Sequence, residues 1–293
     1  MDNVTHTLIG IAAADAVAVT RKKNRLPLWI VSSIANNIPD ADALGRLSSQ
    51  SDKLDYLLHH RGLTHTLILA PLQILFLLGL LLALSRKKRQ PLSPEMVALA
   101  ILGPYLHILA DAWNSYGVHP FWPLDNRWYY GDLLFIVEPW IWAILLPVVW
   151  WRAESRAGKA IALLLLGFLL FLAWSMPLVG FPVALALSLV SGAWLATQQW
   201  IRSEQKRVYS ALLALGLTFL SFGVSLQRVK HSFAQTEGEK AFLAHPGNPF
   251  CWTVLSAAFR GDRYEASLAL ATPAPSLWSA SECPILVGKD GNA

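Results

Sequence analysis

Residues 95–113 read EMVALAILGPYLHILADAW, an apolar run that passes through Gly103 and Pro104 and then sets His107 and Asp111 four residues apart near its end. As a helix rising 1.5 Å per residue it reaches about 28 Å, close to the ~30 Å of hydrocarbon in a bilayer. A helix apolar all round is buried in a large core or in lipid. Working outward, Thr64–Leu84, Leu133–Trp151, Lys159–Met176, Phe181–Trp200 and Val208–Leu226 repeat the pattern. Two earlier runs, Val4–Thr20 and Leu26–Ile38, are shorter, and Pro39 halts the second. They read as a helical hairpin that crosses only part of the membrane and packs against the other helices. The expectation is an all-α polytopic membrane protein with about eight membrane segments and a small C-terminal extramembrane domain containing β-structure.

Composition agrees. Of 293 residues, 54% are hydrophobic and 15% charged, against about 25% charged in soluble domains, and mean hydropathy is +0.41. This excludes disorder, collagen and coiled coil, and argues against a soluble enzyme. The net charge of +5 does not point to nucleic acid, because the basic residues cluster at the ends of apolar runs. Arg21, Lys22, Lys23 and Arg25, then Arg86–Arg89, then Arg152, Arg156 and Lys159, and finally Arg202, Lys206 and Arg207 mark cytoplasmic loops by the positive-inside rule. The N-terminus, residues 36–62, residues 114–132 and the tail then face the other side, the periplasm of a bacterial inner membrane. The start, Met1-Asp2 with no basic stretch, predicts no cleavable signal peptide.

The chain divides into residues 1–151, further helices over 152–226, and a polar tail over 227–293. In the tail, Trp252–Phe259 and Tyr264–Leu270 flank Arg260-Gly261-Asp262-Arg263, which reads as a hairpin turn and not as an adhesive signal. Cys251 and Cys283 lack metal-ribbon spacing, and a periplasmic tail predicts that they pair.

Five polar motifs interrupt the apolar chain, all on the predicted periplasmic side. They are Thr5-His6-Thr7 with Gly10; Asn36-Asn37-Ile38-Pro39-Asp40-Ala41-Asp42; His59-His60-Arg61-Gly62-Leu63-Thr64-His65; His107-Ile108-Leu109-Ala110-Asp111; and Gly131-Asp132 through Glu138-Pro139. His107 and Asp111 share one helix face and reach one metal ion together, although an ion pair accounts for the spacing equally well. Asp40 and Asp42 alone read equally as turn residues, and His6 alone as an interface histidine. Convergence decides between these readings. Ionisable groups near lipid cost about 2.5–3.5 kcal/mol each, and the acids on this face outnumber the bases, which favours a bound cation. Imidazole with carboxylate is the donor set of zinc, manganese or iron. There is no His-Glu-x-x-His, Walker loop or Gly-x-Ser-x-Gly elbow.

In order and spacing over about residues 1–150, these motifs resemble the YdjM-like predicted membrane-bound metal-dependent hydrolases. More distantly, the order His, Pro-Asp, His, His-x-x-x-Asp is similar to the zinc-dependent phospholipase C and P1 nuclease group, helical enzymes that cleave phosphoesters with clustered zinc. That likeness implies His6, Asp40, His65, His107 and Asp111 as ligands. The chain lacks that group's N-terminal Trp and downstream His-x-x-x-Glu, so either Asp132 and Glu138 substitute at a further ion or the centre is smaller. The expected function is a metal-dependent hydrolase at the periplasmic membrane surface acting on a phosphoester or lipid-linked substrate. His65, His107, Asp111 and Asp40 would form the inner ligand set, with His6, Asp42 and His60 beside it. Asp40 or Asp42 would bridge ions or act as general base, and Arg61 would clamp an anionic group. The rival is a metal- or proton-coupled transporter or lipid-handling protein, with Asp15 as its intramembrane relay.

Overall fold

Proline and capping side chains decide where the apolar runs become helical. The computed structural model describes residues 1–19, 24–41, 61–89, 91–261, 263–276 and 278–284. Among them are eight α-helices: α1 (Asn3–Val17), α2 (Leu26–Asn37), α3 (Ala70–Lys88), α4 (Pro94–Asp111), α5 (Pro139–Arg152), α6 (Arg156–Ser175), α7 (Phe181–Thr197) and α8 (Glu204–Ser232). Asp2 caps α1 by accepting from the Val4 and Thr5 amides, and Ser93, Ser155 and Ser203 cap α4, α6 and α8. Prolines in the first turn open α2, α3, α4, α5 and α7, where no amide donor is missed.

The expected eight membrane segments are too many. Among the described residues three helices are long and apolar enough to cross a membrane, over Ala70–Lys87, Arg156–Ser175 and Glu204–Ser232; Phe181–Thr197 is apolar but shorter. The segment expected over Leu133–Trp151 fails because Leu133–Glu138 is irregular backbone, with Leu134 bridged to Asn114, and helix begins only at Pro139. That leaves 14 residues, about 21 Å. Helices α1 and α2 are shorter than a bilayer for the same reason of length, and α4 carries Glu95, His107 and Asp111.

Helix α5 is the centre of the bundle. Every residue from Ile141 to Val148 is buried, and α1, α6, α7 and α8 pack around it. By contrast α3, α6 and α8 present Leu75, Phe76, Leu164, Phe171, Leu213 and Leu220 outward, as lipid-facing helices do. Helix α2 lies between α1 and α4. Two glycines permit that approach: a Cβ at Gly10 would meet the Ser32 carbonyl oxygen at 2.8 Å, and one at Gly103 would meet Ala35 Cβ at 2.3 Å.

Away from the polar motifs, buried charges tie the helix ends together. Arg152 pairs with Asp15 at 2.8 Å and also contacts Glu204; Arg207 pairs with Glu204 at 3.0 Å; and Trp29 Nε1 donates to Asp15 at 3.0 Å. Arg25 lies 3.5 Å from Glu204 and donates to the Arg152 carbonyl.

The tail forms an antiparallel sheet in the order β1 (Glu239–His245), β2 (Asn248–Arg260) and β3 (Arg263–Ala271). The expected hairpin is present, with Phe259 opposite Tyr264. Strand β1 was not foreseen. Cys251 and Cys283 form a disulfide, as expected, with Cα atoms 5.5 Å apart.

Candidate metal centre

The turn that ends α2 sets the site's geometry. Pro39 stops the helix, and Ile38–Ala41 continues as a 3₁₀ turn that projects Asp40. Asn37 Nδ2 donates to the Ser33 carbonyl at 2.8 Å and to Thr7 Oγ1 at 3.1 Å, which fastens the turn to α1. Asn3 Nδ2 donates to Asn37 Oδ1 and to Asp40 Oδ2, at 3.2 and 3.1 Å. From the other side α4 supplies His107 and Asp111, and a 3₁₀ turn over Leu63–His65 supplies His65. Thr5, one residue before His6, accepts from Trp142 Nε1 of α5 at 2.9 Å.

Asp40, His65, His107 and Asp111 bring one donor atom each to within 4.8 Å of one another. The two Nε2 atoms of His65 and His107 stand 3.0 Å apart. Asp40 Oδ1 lies 3.3 Å from His65 and 3.5 Å from His107, and Asp111 Oδ2 lies 3.4 Å from each. Donor atoms around a tetrahedral ion bonded at about 2.0–2.1 Å stand about 3.3–3.4 Å apart. Four carboxylate–imidazole edges, at 3.3–3.5 Å, thus match a tetrahedron of metal ligands, and the imidazole–imidazole edge at 3.0 Å is shorter.

The tautomer agrees with that fit. His107 Nδ1 lies 2.6 Å from the Asn36 carbonyl oxygen, which can only accept, so Nδ1 carries the hydrogen, and the Nε2 of a neutral His107 would turn its lone pair into the cluster. His65, His107 and Asp111 are buried, and Asp40 is the most exposed of the four, its side chain 12% accessible. The cluster therefore opens to its surroundings at Asp40. The residues fit a divalent cation of the zinc type.

The remaining candidates divide. His6 stacks on His107 with ring centroids 3.7 Å apart, and its Nε2 lies 3.3 Å from Asp111 Oδ1; its Nδ1 is buried without a hydrogen-bond partner among the described residues. It flanks the four donors. Arg61, held at φ 67°, donates to Asp111 Oδ1 at 2.9 Å, to Asn114 Oδ1 at 3.2 Å and to the Gly117 carbonyl at 3.0 Å, with Tyr116 beneath its guanidinium. The expected clamp for a substrate anion is thus a buried group that holds Asp111. The Met1 amine also contacts Asp111 Oδ1, so that oxygen is turned away from the cluster and toward cations of the chain.

Asp132 and Glu138 do not join the cluster. Glu138 caps α5, accepting from the Trp140 amide at 3.2 Å, and also accepts from the Gly247 amide at 3.4 Å in the β1–β2 turn. Burial pushes its carboxyl up to about 8. Asp132 faces the Phe242 amide and Lys230, and burial raises it as well. The fifth motif is thus the point at which the sheet docks on the helices. Asp42 and His60 lie outside the described residues. Sequence reasoning gave no role to the Asn36 carbonyl, to Asn114 or to Trp142. Asn36 and Asn37 stand in a quoted motif, but a backbone acceptor leaves no mark in a sequence.

No curated protein and no solved structure matches the chain, so the distant likeness to the phospholipase C and P1 nuclease group gains no support there. The family model described as YdjM inner membrane protein matches residues 1–180, which include all four clustered donors and Arg61. The chain belongs to the YdjM inner membrane protein family.

Proposed function

We propose that this inner membrane protein is a metal-dependent hydrolase whose centre faces the periplasm and acts on a phosphoester or lipid-linked substrate. The observation that carries the reading is the convergence of one donor atom each from Asp40, His65, His107 and Asp111 to within 4.8 Å of one another. A zinc, manganese or iron ion held there would lower the pKa of bound water and offset charge developing on substrate oxygens. Asp40, at the open edge, has one carboxylate oxygen toward the imidazoles and the other held by Asn3, which suits it to take a proton from an incoming water. Arg61 keeps Asp111 oriented, and the Asn36 carbonyl fixes the ring of His107. Among the described residues, these four donors suit one ion.

Against transport stands the state of Asp15. It is locked by Arg152 and Trp29, and a relay needs a carboxylate free to exchange its partner. The periplasmic placement rests on the basic loops. The test is turnover of a chromogenic phosphodiester and of phospholipid by purified, metal-loaded protein in detergent. Metal-dependent product release that vanishes in Asp40→Asn supports a hydrolase. Absence of turnover combined with metal flux into liposomes refutes it.

A further inference from the structure

Across α5 from the metal cluster, a second feature has no part in that chemistry. Trp142 of α5 reaches toward Thr5, while Ala143 and Ile144 face a cavity of about 530 Å³ bounded by α7 and α8. That volume is in the range of small-molecule sites. Val190 of α7 and Leu217 of α8 line it and are also exposed on the outer face, so it opens sideways between the two helices. Phe250 and Trp278 roof it, their rings stacked with centroids 6.0 Å apart, and the Cys251–Cys283 disulfide joins the chain on either side of that roof.

The polar groups in the walls are satisfied internally. Trp194 Nε1 donates to the Ile144 carbonyl, Trp140 Nε1 to the Gly247 carbonyl, and Thr218 and Ser221 to carbonyls of their own helix. Such a wall favours an apolar occupant. There is one exception. Trp278 Nε1 is buried with no acceptor among the described residues.

Beside the cavity lies a cleft of about 100 Å³ that shares Ser221, Pro249 and Phe250 with it and contains Arg228. Arg228 is exposed and has no hydrogen bond or ion pair among the described residues. Helix α8 has 29 residues, roughly 43 Å, which matches a bilayer of about 40–45 Å with its headgroups. Arg228, one turn from the helix end, falls at headgroup depth, and the cavity below it at the depth of acyl chains.

We propose that the cavity and the cleft together form a binding site for an anionic phospholipid, with one acyl chain between α7 and α8 and the phosphate against Arg228. Trp278 Nε1 donates to the ester carbonyl between them. The lipid enters from the bilayer through the opening between the helices, and the site is independent of the metal chemistry.

The test uses the full chain, stripped of lipid, reconstituted in equimolar phosphatidylglycerol and phosphatidylcholine, and examined by native mass spectrometry after re-extraction. The expected result is a retained phosphatidylglycerol adduct. Filling the cavity with Ala186→Phe or, from the other helix, Ala214→Phe removes it. Arg228→Gln keeps an adduct but lowers the preference for the anionic lipid about fivefold. An intact disulfide in each variant reports folding, and two filling variants guard against the failure of one. A wild-type chain without an adduct, filling variants that retain it, or Arg228→Gln with unchanged preference overturns the proposal. So does a dimer, in place of a lipid adduct, that the filling variants dissolve.

Discussion

Gly103→Ala, at a position that touches no ligand, is expected to weaken metal binding. An added Cβ there falls 2.3 Å from Ala35 Cβ, 2.6 Å from its carbonyl carbon and 3.0 Å from its Cα. Carbon atoms in contact settle at about 3.5–4.0 Å, so α2 and α4 must part by more than about 1 Å. His107 lies one turn beyond Gly103 on α4, and Asn36 follows Ala35 on α2. The separation therefore acts on the 2.6 Å contact between His107 Nδ1 and the Asn36 carbonyl and on the 3.5 Å edge between His107 and Asp40. Overpacking of this kind costs about 1–3 kcal/mol in stability. Loss of the group that orients a ligand costs about 10–100-fold in metal affinity. A competition titration against a chromophoric chelator measures the second and a thermal melt the first. Adding Ala35→Gly removes only one of the three close atoms, so it should not restore affinity. Wild-type affinity in Gly103→Ala, or full recovery in the double variant, would refute the claim that this interface sets the cluster.

Three further outcomes are expected. His107→Ala and Asp111→Asn lose bound metal, measured by elemental analysis, while His231→Ala and His245→Ala, in the tail and its approach, retain it. Arg61→Gln, which removes the charged fork from Asp111, lowers metal affinity about 10–100-fold without abolishing binding in the same titration. Glu138 has a folded pKa raised from 4.5 to about 8, so the native state holds a proton that the unfolded state has released. Stability from this group is full below pH 4.5 and falls by about 3–5 kcal/mol as pH rises toward 8. Melts across that window should show the decline in the wild type and a flatter profile in Glu138→Gln; equal slopes would contradict the burial of Glu138.

The parts of the site that were legible in the sequence are those whose geometry is local. His107 and Asp111 share a face because four residues make about one turn, and Asp40 projects because Pro39 must end α2. The hairpin of β2 and β3 could be read from the Gly261 turn, and the disulfide from the expected compartment of the tail. Asp132 and Glu138 were misassigned because their partners, the Phe242 and Gly247 amides, are about a hundred residues away. Nothing near a carboxylate in sequence tells whether it will meet a cation or a backbone amide. The membrane count failed on similar grounds: Leu133–Val137 is as apolar as a helix, yet its backbone pairs with Asn114 and runs irregularly to Pro139. Strand β1 is too short and too weakly alternating to stand out. The docking of Arg61 onto Asp111 depends on a positive φ and on a loop returning past Gly117, which only the folded chain reveals.

The placement of α2 between α1 and α4 has a consequence for how such a protein can diversify. The four donors come from residues 40 to 111, and the groups that orient them, Met1, Asn3, Asn36 and Arg61 among them, lie in the first 117 residues apart from Trp142. Helices α7 and α8 and the sheet meet this unit largely through α5 and the 131–138 segment, with α8 also touching α1 and Trp113. Substitutions along the lateral cavity, which stands across α5 from the donors, would therefore change what that cavity holds without rebuilding the cluster. The metal cluster and the lateral cavity are separable parts of one polypeptide.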